Sequence, residues 1–390
     1  MKIAQVSAYD FAYPGGVNSH VANLEQRLKQ MGHQVKILAP FTKGHAALPP
    51  NVIPFGRSIP YPSGGSIARC SPSPFFTQSM KATLERERFD IIHLHEPLTP
   101  MLPLTVLRAL RDSKEPTVGT FHAYHNTPRG YRFFKPLIKQ YFARLDALTA
   151  VSRPAMEFVA QVFPGNYTII PNGIELEHFS PQVAPMPEFM DGKLNILFVS
   201  RLEKRKGLDY LLGAYPLIKK QLPEVRLIVV GPGTRLRRGY EAIVERGKLQ
   251  DVHFVGYVSQ DDLPRYYRSA HVFCAPATGH ESFGIVLLEA MAMAKPIVAS
   301  NIPGYAGVMS HGVEGLLVPP KDKKALALAL TTLLRDETLR LEMGTRGRAK
   351  AEGYSWTHVV KKVMDLYSDV LNGKSPGASI AQPQMSSISG

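Results

Sequence analysis

The feature that most constrains this 390-residue chain is a repeated alternation of short apolar runs with helix-length segments. In the first half the runs fall at 3–7, 35–38, 91–95, 117–121, 148–152 and 168–170, and several are rich in β-branched residues. Runs of this length and composition read as strands buried on both faces. Helices are expected between them over 17–31, 100–111 and 154–163. A second series starts at 194–200 and continues through 226–230, 253–255, 272–275, 296–300 and 315–318. Its helices are expected at 207–220, 236–248, 262–267, 281–293, 324–334 and 357–371. Such alternation implies parallel sheets joined by right-handed crossovers. The expected fold is α/β, with two Rossmann-like doubly wound domains, 1–180 and 194–354, facing across a cleft. A proline-rich linker, 181–193, joins them. Residues 373–390, rich in Gly, Ser, Pro and Gln, read as a disordered tail.

The formal charge is +14, from 46 Lys+Arg against 32 Asp+Glu. That balance suits anionic partners: phosphate ligands, an acidic membrane surface or nucleic acid. No run of about 18 apolar residues occurs, so no spanning helix is expected and membrane contact would be peripheral. Met1-Lys2 leads straight into a strand, which predicts no signal peptide and a cytoplasmic protein. Cys70 and Cys274 are too few for a disulfide framework and read as reduced thiols. No Cys/His cluster has zinc spacing along the chain.

Chemistry-bearing residues collect where strands end. Ligands of open α/β sheets bind at the carboxyl edges of the strands. After the first strand, Tyr13-Pro14-Gly15-Gly16-Val17 is either a tight βα turn or a point where backbone approaches a ligand. It is not a GxGxxG, so a dinucleotide site is unsupported. After 194–200 comes Arg201-Leu202-Glu203-Lys204-Arg205-Lys206-Gly207, in which Arg201 and Lys206 bracket a turn. Arg presents a planar fork to phosphate oxygens and Lys a point charge. After 272–275 comes Gly279-His280-Glu281-Ser282-Phe283-Gly284-Ile285, leading into an apolar helix that carries Glu289. A helix start there offers unpaired N–H groups to an anion, and the two carboxylates suit hydroxyl groups. Together these edges suit a nucleotide-sugar. His122 ends another strand, where it is placed to bond a sugar hydroxyl or assist proton transfer. His93 and His95 alternate onto one face and read as core or supporting residues.

From Pro128 to Leu145 no acidic residue occurs, and Phe133, Phe134, Leu137, Ile138, Tyr141 and Phe142 recur at helical spacing. Arg129, Arg132, Lys135 and Lys139 bring positive charge to the same segment. Packing of the apolar stripe on the sheet is the expectation, with Pro136 in a first turn; the basic face also suits an anionic membrane.

Taken together, Pro14-Gly15-Gly16, Ile170-Pro171-Asn172-Gly173-Ile174, Arg201 through Lys206-Gly207 and the Glu281…Glu289 pair resemble the retaining glycosyltransferases of family 4, which have the two-domain B-type fold. The resemblance implies that Arg201 and Lys206 bind the donor diphosphate, with Ser282, Phe283, Gly284 and Ile285 around it. It implies Glu281 at the transferred sugar, Glu289 at the ribose and Gly16 at the donor–acceptor junction. Tyr9, Gly15, Gly16 and His122 would then face the acceptor, and a last helix over 355–371 would cross back onto the first domain. His93-Leu94-His95-Glu96-Pro97 and Thr120-Phe121-His122 are most similar to the lipid-mannosylating members. They imply transfer of mannose from GDP-mannose to a phosphatidylinositol-like lipid. Those members carry a Lys/Arg-rich helix before the strand at 91–95; here residues 80–88 have mixed charge. Alternatives of other chemistry are a UDP-sugar-dependent transferase acting on diacylglycerol or a soluble acceptor, a same-fold epimerase, and a non-catalytic basic protein binding nucleotide or nucleic acid. No Asp-x-Asp triplet occurs, so neither a metal-bridged diphosphate nor any cofactor is expected.

Overall fold

A computed structural model describes residues 1–13, 15–42, 48–63, 66–71, 76–99, 102–125 and 127–374. Pro14 and the part of the expected tail from 375 on lie outside the described residues. The first half contains β1 (Lys2–Ser7), α1 (Gly16–Gln30), β2 (Gln34–Ala39), β3 (Val52–Pro54), β4 (Ile59–Ser63), β5 (Ser66–Cys70), α2 (Thr77–Glu87) and β6 (Ile91–His95). It continues with α3 (Leu102–Ala109), β7 (Thr117–Phe121), α4 (Arg129–Phe142), β8 (Ala147–Ala150), α5 (Arg153–Ala160) and β9 (Tyr167–Ile169). The second half contains β10 (Leu194–Val199), α6 (Leu208–Gln221), β11 (Val225–Val230), α7 (Arg237–Arg246), β12 (Val252–Gly256), α8 (Leu263–Ser269) and β13 (Val272–Ala275). Then come α9 (Ile285–Ala292), β14 (Ile297–Ser300), α10 (Pro303–Ala306), β15 (Gly315–Val318), α11 (Lys323–Arg335), α12 (Glu337–Glu352) and α13 (Trp356–Leu371).

The strands form a seven-stranded sheet in the order β3-β2-β1-β6-β7-β8-β9 and a six-stranded sheet in the order β12-β11-β10-β13-β14-β15. Every pairing within these two sheets is parallel, and β4–β5 is a separate antiparallel hairpin. The strand order reverses between β1 and β6 and again between β10 and β13, the topological switch points where crevices open.

Alternate strand residues feed opposite cores. Ile3 and Val35 pack with Leu24 and Leu28 of α1, whereas Ala4, Val6 and Leu38 pack with Met80 and Leu84 of α2 and Val106 of α3. In the second half Leu197 joins α8 and α9, while Ile196 and Phe198 join α6 and α11. Residues 181–193 are not an open tether: Phe189 is buried against the second sheet's core, and Asn195 Nδ2 donates to its carbonyl at 2.8 Å. α13 lies on the first sheet, where Trp356, Val359, Val363 and Tyr367 share a core with Ile3, Leu24 and Ile91. Ser355 caps it, and Ser355 also bridges to Ile174.

Three expectations fail. α4 does not bury its apolar stripe: Phe133 is 78% exposed and Leu137 65%, and Ile138 alone is buried on it. The stripe is wider than the strip of α4 that reaches the sheet. Pro136 sits inside α4, which begins at Arg129, and not in its first turn. The helix expected over 281–293 starts four residues later, because His280 and Gly284 take left-handed backbone at φ +59° and +93°. Residues 281–284 are therefore a loop wrapped over the helix end.

Candidate functional site

Each half presents one cluster at the carboxyl edge of its sheet. In the second half β10 delivers Arg201 through a turn to Lys206, and β13 delivers Glu281. Gly207 ends the Lys204–Lys206 3-10 turn at φ +77°, and a Cβ there would overlap the Pro276 carbonyl. Only glycine lets the basic turn lie so close to the loop after β13. The Arg205 carbonyl accepts from Thr278 N at 2.8 Å, which ties the two loops together.

The charges interlock. Glu281 Oε1 lies 2.7 Å from Lys206 Nζ and is also paired with Arg205. Glu203 holds Arg205 at 3.0 Å and Arg201 at 3.1 Å. Burial alone would raise the Glu281 carboxyl; the Lys206 ammonium and Arg205 guanidinium outweigh it and hold the group below the ordinary carboxylate range. Arg201 keeps almost half of its side chain in solvent, so its fork remains available to an anion. Gly284 caps α9, whose first N–H groups open toward the same edge. Lys206 and Val286 line a small cavity between the ends of β10 and β13, closed below by Tyr305. Glu289 lies one turn into α9 and accepts from the Tyr267 hydroxyl at 2.7 Å; burial pushes its carboxyl up to about 7.

In the first half the loop after β1 is shaped by Asn18 of α1. Its Nδ2 donates to the carbonyls of Asp10 and Tyr13, and its Oδ1 accepts from Ser7 Oγ at 2.8 Å. Tyr9 N donates to the same Ser7 hydroxyl. This sets Gly15 and Gly16 at the start of α1, where no side chain crowds them: a Cβ at Gly16 would first meet Ile285 Cδ1, 4.0 Å away. Gly16 therefore faces the start of α9 across the cleft, and His125 faces His280 with ring centres 6.1 Å apart.

His122 follows β7 and is buried. Its backbone N–H and that of Ala123 both donate to Glu96 Oε1, at 2.5 and 2.6 Å. Burial pushes the Glu96 carboxyl up to about 7, against the pull of those two amides. Glu96 itself has left-handed backbone, φ +58°, a strain that persists where surroundings over-determine it. His122 Nε2 lies 3.0 Å from His95 Nδ1. Burial, followed by the neighbouring imidazoles, holds both rings well below the usual histidine range. His93 and His95 are buried, His93 bonding Tyr367 and Thr120.

The structure thus gathers Arg201, Lys206, Glu281 and 282–285 on one wall, with Glu289 deeper along α9. Tyr9, Gly15, Gly16 and His122 are on the other. Arg205, Glu96, Asn18 and Asn172 were not singled out from sequence. Arg205 lay in a basic run and Glu96 and Asn172 in motif segments, so position offered a hint; nothing local marked Asn18.

Two sheets with facing switch points, a cation-and-amide wall and a glycine-lined opposite wall define a two-domain glycosyltransferase of the B-type fold. Residues 14–178 match the family model Glycosyltransferase Family 4, and residues 185–350 match Glycosyl transferases group 1. The chain belongs to the family 4 glycosyltransferases. It is 36% identical over 373 residues to the phosphatidyl-myo-inositol mannosyltransferase of Mycobacterium leprae (strain TN), covering 95% of this chain and 97% of that protein. The protein of the same name from Mycolicibacterium smegmatis is 34% identical, with 95% and 94% covered. Among solved structures, Anabaena HepE in complex with UDP superposes with a TM-score of 0.76 at 18% identity, covering 95% of this chain and 100% of that one. The sucrose-phosphate synthase from Thermosynechococcus elongatus gives 0.73 at 24% identity, with 96% and 100% covered. The chain is therefore an enzyme of sugar transfer, and the non-catalytic reading falls. No helix among the described residues is long and apolar enough to cross a membrane.

Proposed function

We propose that this enzyme transfers mannose from GDP-mannose to a phosphatidylinositol-like lipid with retention of anomeric configuration. The observation that carries the reading is the cation wall of Arg201, Lys206 and the α9 start opposite Gly16 and His122. The name shared by relatives 33–36% identical over about 95% of the chain supports the sugar and the acceptor. Leaving-group departure puts charge on the diphosphate. Arg201, Lys206 and the free amides at Ile285 and Val286 would meet that charge in a fixed geometry, without a metal bridge. Diphosphate binding would draw Lys206 from Glu281 and leave the carboxylate, still held by Arg205, an oxygen for the sugar hydroxyls. Glu289 would take the ribose. His122 would sit beside the sugar ring, neutral through burial and thus a hydrogen-bond partner rather than a cation. Acceptor attack on the face the diphosphate leaves preserves configuration. Thermal shift with GDP-mannose and UDP-glucose, followed by product analysis with phosphatidylinositol, tests this. GDP-mannose should raise the melting temperature more; preferential stabilisation by UDP-glucose, or no mannolipid product, overturns it.

Access to a lipid acceptor requires a surface that meets membrane. α4 offers one: Phe133, Phe134 and Leu137 stand in solvent among Arg129, Arg132, Lys135 and Lys139, with no acidic residue nearby in sequence. Such a helix lies in the headgroup plane of an anionic bilayer. α2, by contrast, turns Met80 and Leu84 into the core. Each cation near an anionic surface contributes about 1 kcal/mol. Reversing Lys135 and Lys139 to Glu should weaken flotation with phosphatidylglycerol vesicles at least tenfold and leave melting temperature unchanged. Undiminished flotation would remove α4 from the role.

A further inference from the structure

Three histidines remote in sequence meet beneath the first-half wall. His20 from α1, His95 from the end of β6 and His122 after β7 bring ring nitrogens within 4.8 Å of one another, all buried. Their outer nitrogens settle their tautomers. His95 Nε2 lies 2.6 Å from Gln5 Oε1. The Gln5 amide is oriented by its other end, where Nε2 donates to the Tyr367 hydroxyl at 3.0 Å. That hydroxyl in turn donates to His93 Nδ1 at 2.8 Å, and His93 Nε2 donates to Thr120 Oγ1 at 2.6 Å. An amide oxygen only accepts, so His95 carries its proton on Nε2 and keeps a lone pair on Nδ1. His20 repeats the pattern: Nδ1 donates to Asn172 Oδ1 at 2.9 Å, which leaves the lone pair on Nε2. An outer N–H held by a carbonyl, with the inner nitrogen bare, is how metal-ligating imidazoles are oriented.

We propose that His20, His95 and His122 form a binding site for a borderline divalent transition-metal cation such as Zn²⁺ or Co²⁺. His122 Nε2 donates to His95 Nδ1 in the metal-free arrangement; moving that proton to His122 Nδ1 supplies the third lone pair with no change of charge. Metal–nitrogen bonds of about 2.1 Å at tetrahedral angles place ligand nitrogens about 3.4 Å apart. The His95–His122 pair is already at 3.0 Å, so sub-ångström adjustments of that pair suffice. All three rings are buried, a setting that favours the neutral imidazoles a metal requires. His93, stacked on His95 at 4.4 Å, is no ligand because both its nitrogens are engaged. The consequence for transfer rests on the functional reading above, since a cation on His122 removes it from the sugar. The binding itself does not.

Cobalt is the probe. Full-length protein stripped with chelator and titrated with Co²⁺ should develop the intense visible d–d absorption of a tetrahedral ion, saturating at one equivalent. His20→Gln should weaken binding at least 100-fold. Asn172→Ala, which removes only the orienting acceptor, should weaken it about 10- to 100-fold. His125→Gln, which alters the His125–His280 pair, should titrate as wild type. Circular dichroism confirms folding, and the Asn172→Ala arm decides if His20→Gln does not fold. A wild type that gives no tetrahedral spectrum, or Asn172→Ala and His20→Gln titrating as wild type, overturns the site.

Discussion

Arg201→Ala and Lys206→Ala should each lower kcat/KM for sugar transfer by about 10²- to 10³-fold, a loss of roughly 3–4 kcal/mol of transition-state stabilisation. The size follows from where the cations stand. Lys206 keeps 16% of its side chain in contact with solvent and is fixed by Glu281 at 2.7 Å, so its ammonium is aimed before substrate arrives. Charge on the departing diphosphate grows as the sugar–oxygen bond breaks, so the effect falls mainly on kcat. Stability should change little in Arg201→Ala, because that side chain is almost half exposed and the buried Glu203 keeps Arg205 as a partner. Lys206→Ala leaves Glu281 paired with Arg205, so the carboxylate is not orphaned. Steady-state kinetics with melting curves check both points. Near-normal kcat in either folded variant removes that residue from the diphosphate site.

What the sequence reveals and what it hides divide along physical lines. Both parallel sheets are legible because their strands are buried on both faces and so are apolar throughout; β6, β7, β13 and β15 begin and end where composition predicts. α12 leaves no such trace. Its buried residues are Met343, Gly344, Gly347 and Ala351, and Gly344 lies on the backbone of Ala294. A helix that packs through small residues has no apolar stripe to read. β3 and the β4–β5 hairpin are too short and proline-marked to stand out. Glu281 was legible as a residue but not in its setting, since a left-handed histidine has no local signature. α4 shows the converse failure. Periodicity identifies an apolar face yet not its partner, and here solvent covers most of it. The three-histidine cluster is invisible by spacing because residues 20, 95 and 122 belong to separate elements.

Acidification from pH 6 to pH 4.5 should cost the enzyme on the order of 6 kcal/mol of stability, reversibly and without substrate. His20, His93, His95 and His122 are all buried and all titrate far below 6.5 in the folded state, His20 near 4 and His93 near 3, because burial disfavours the imidazolium. Unfolded, they bind protons as pH falls through 6.5, so the unfolded state holds more protons and gains relative stability. Glu96 and Glu289 act oppositely. Burial raises both to about 7 in the folded state against 4.5 for the free carboxyl, so each favours folding as pH falls from 7 to 4.5. His271, which burial also lowers to about 4, makes a fifth such histidine. Five histidines against two carboxyls leave a net difference of three protons, or about 4 kcal/mol per pH unit. Below 4.5 the carboxyl compensation ends and the loss steepens until the first buried imidazoles protonate. Against an ordinary stability of about 5–15 kcal/mol, the fold should fail near pH 4. Urea unfolding at pH 7, 6 and 5 measures the slope, and two substitutions assign it. Glu96→Gln keeps an oxygen for the His122 and Ala123 amides while removing one compensating proton, so its slope should steepen by about 1.4 kcal/mol per unit. His20→Gln should flatten it by the same amount. Equal stability at pH 6 and 5 in the wild type would mean that the buried histidines take up protons in place, and the neutral cluster under the first-half wall would have to be abandoned.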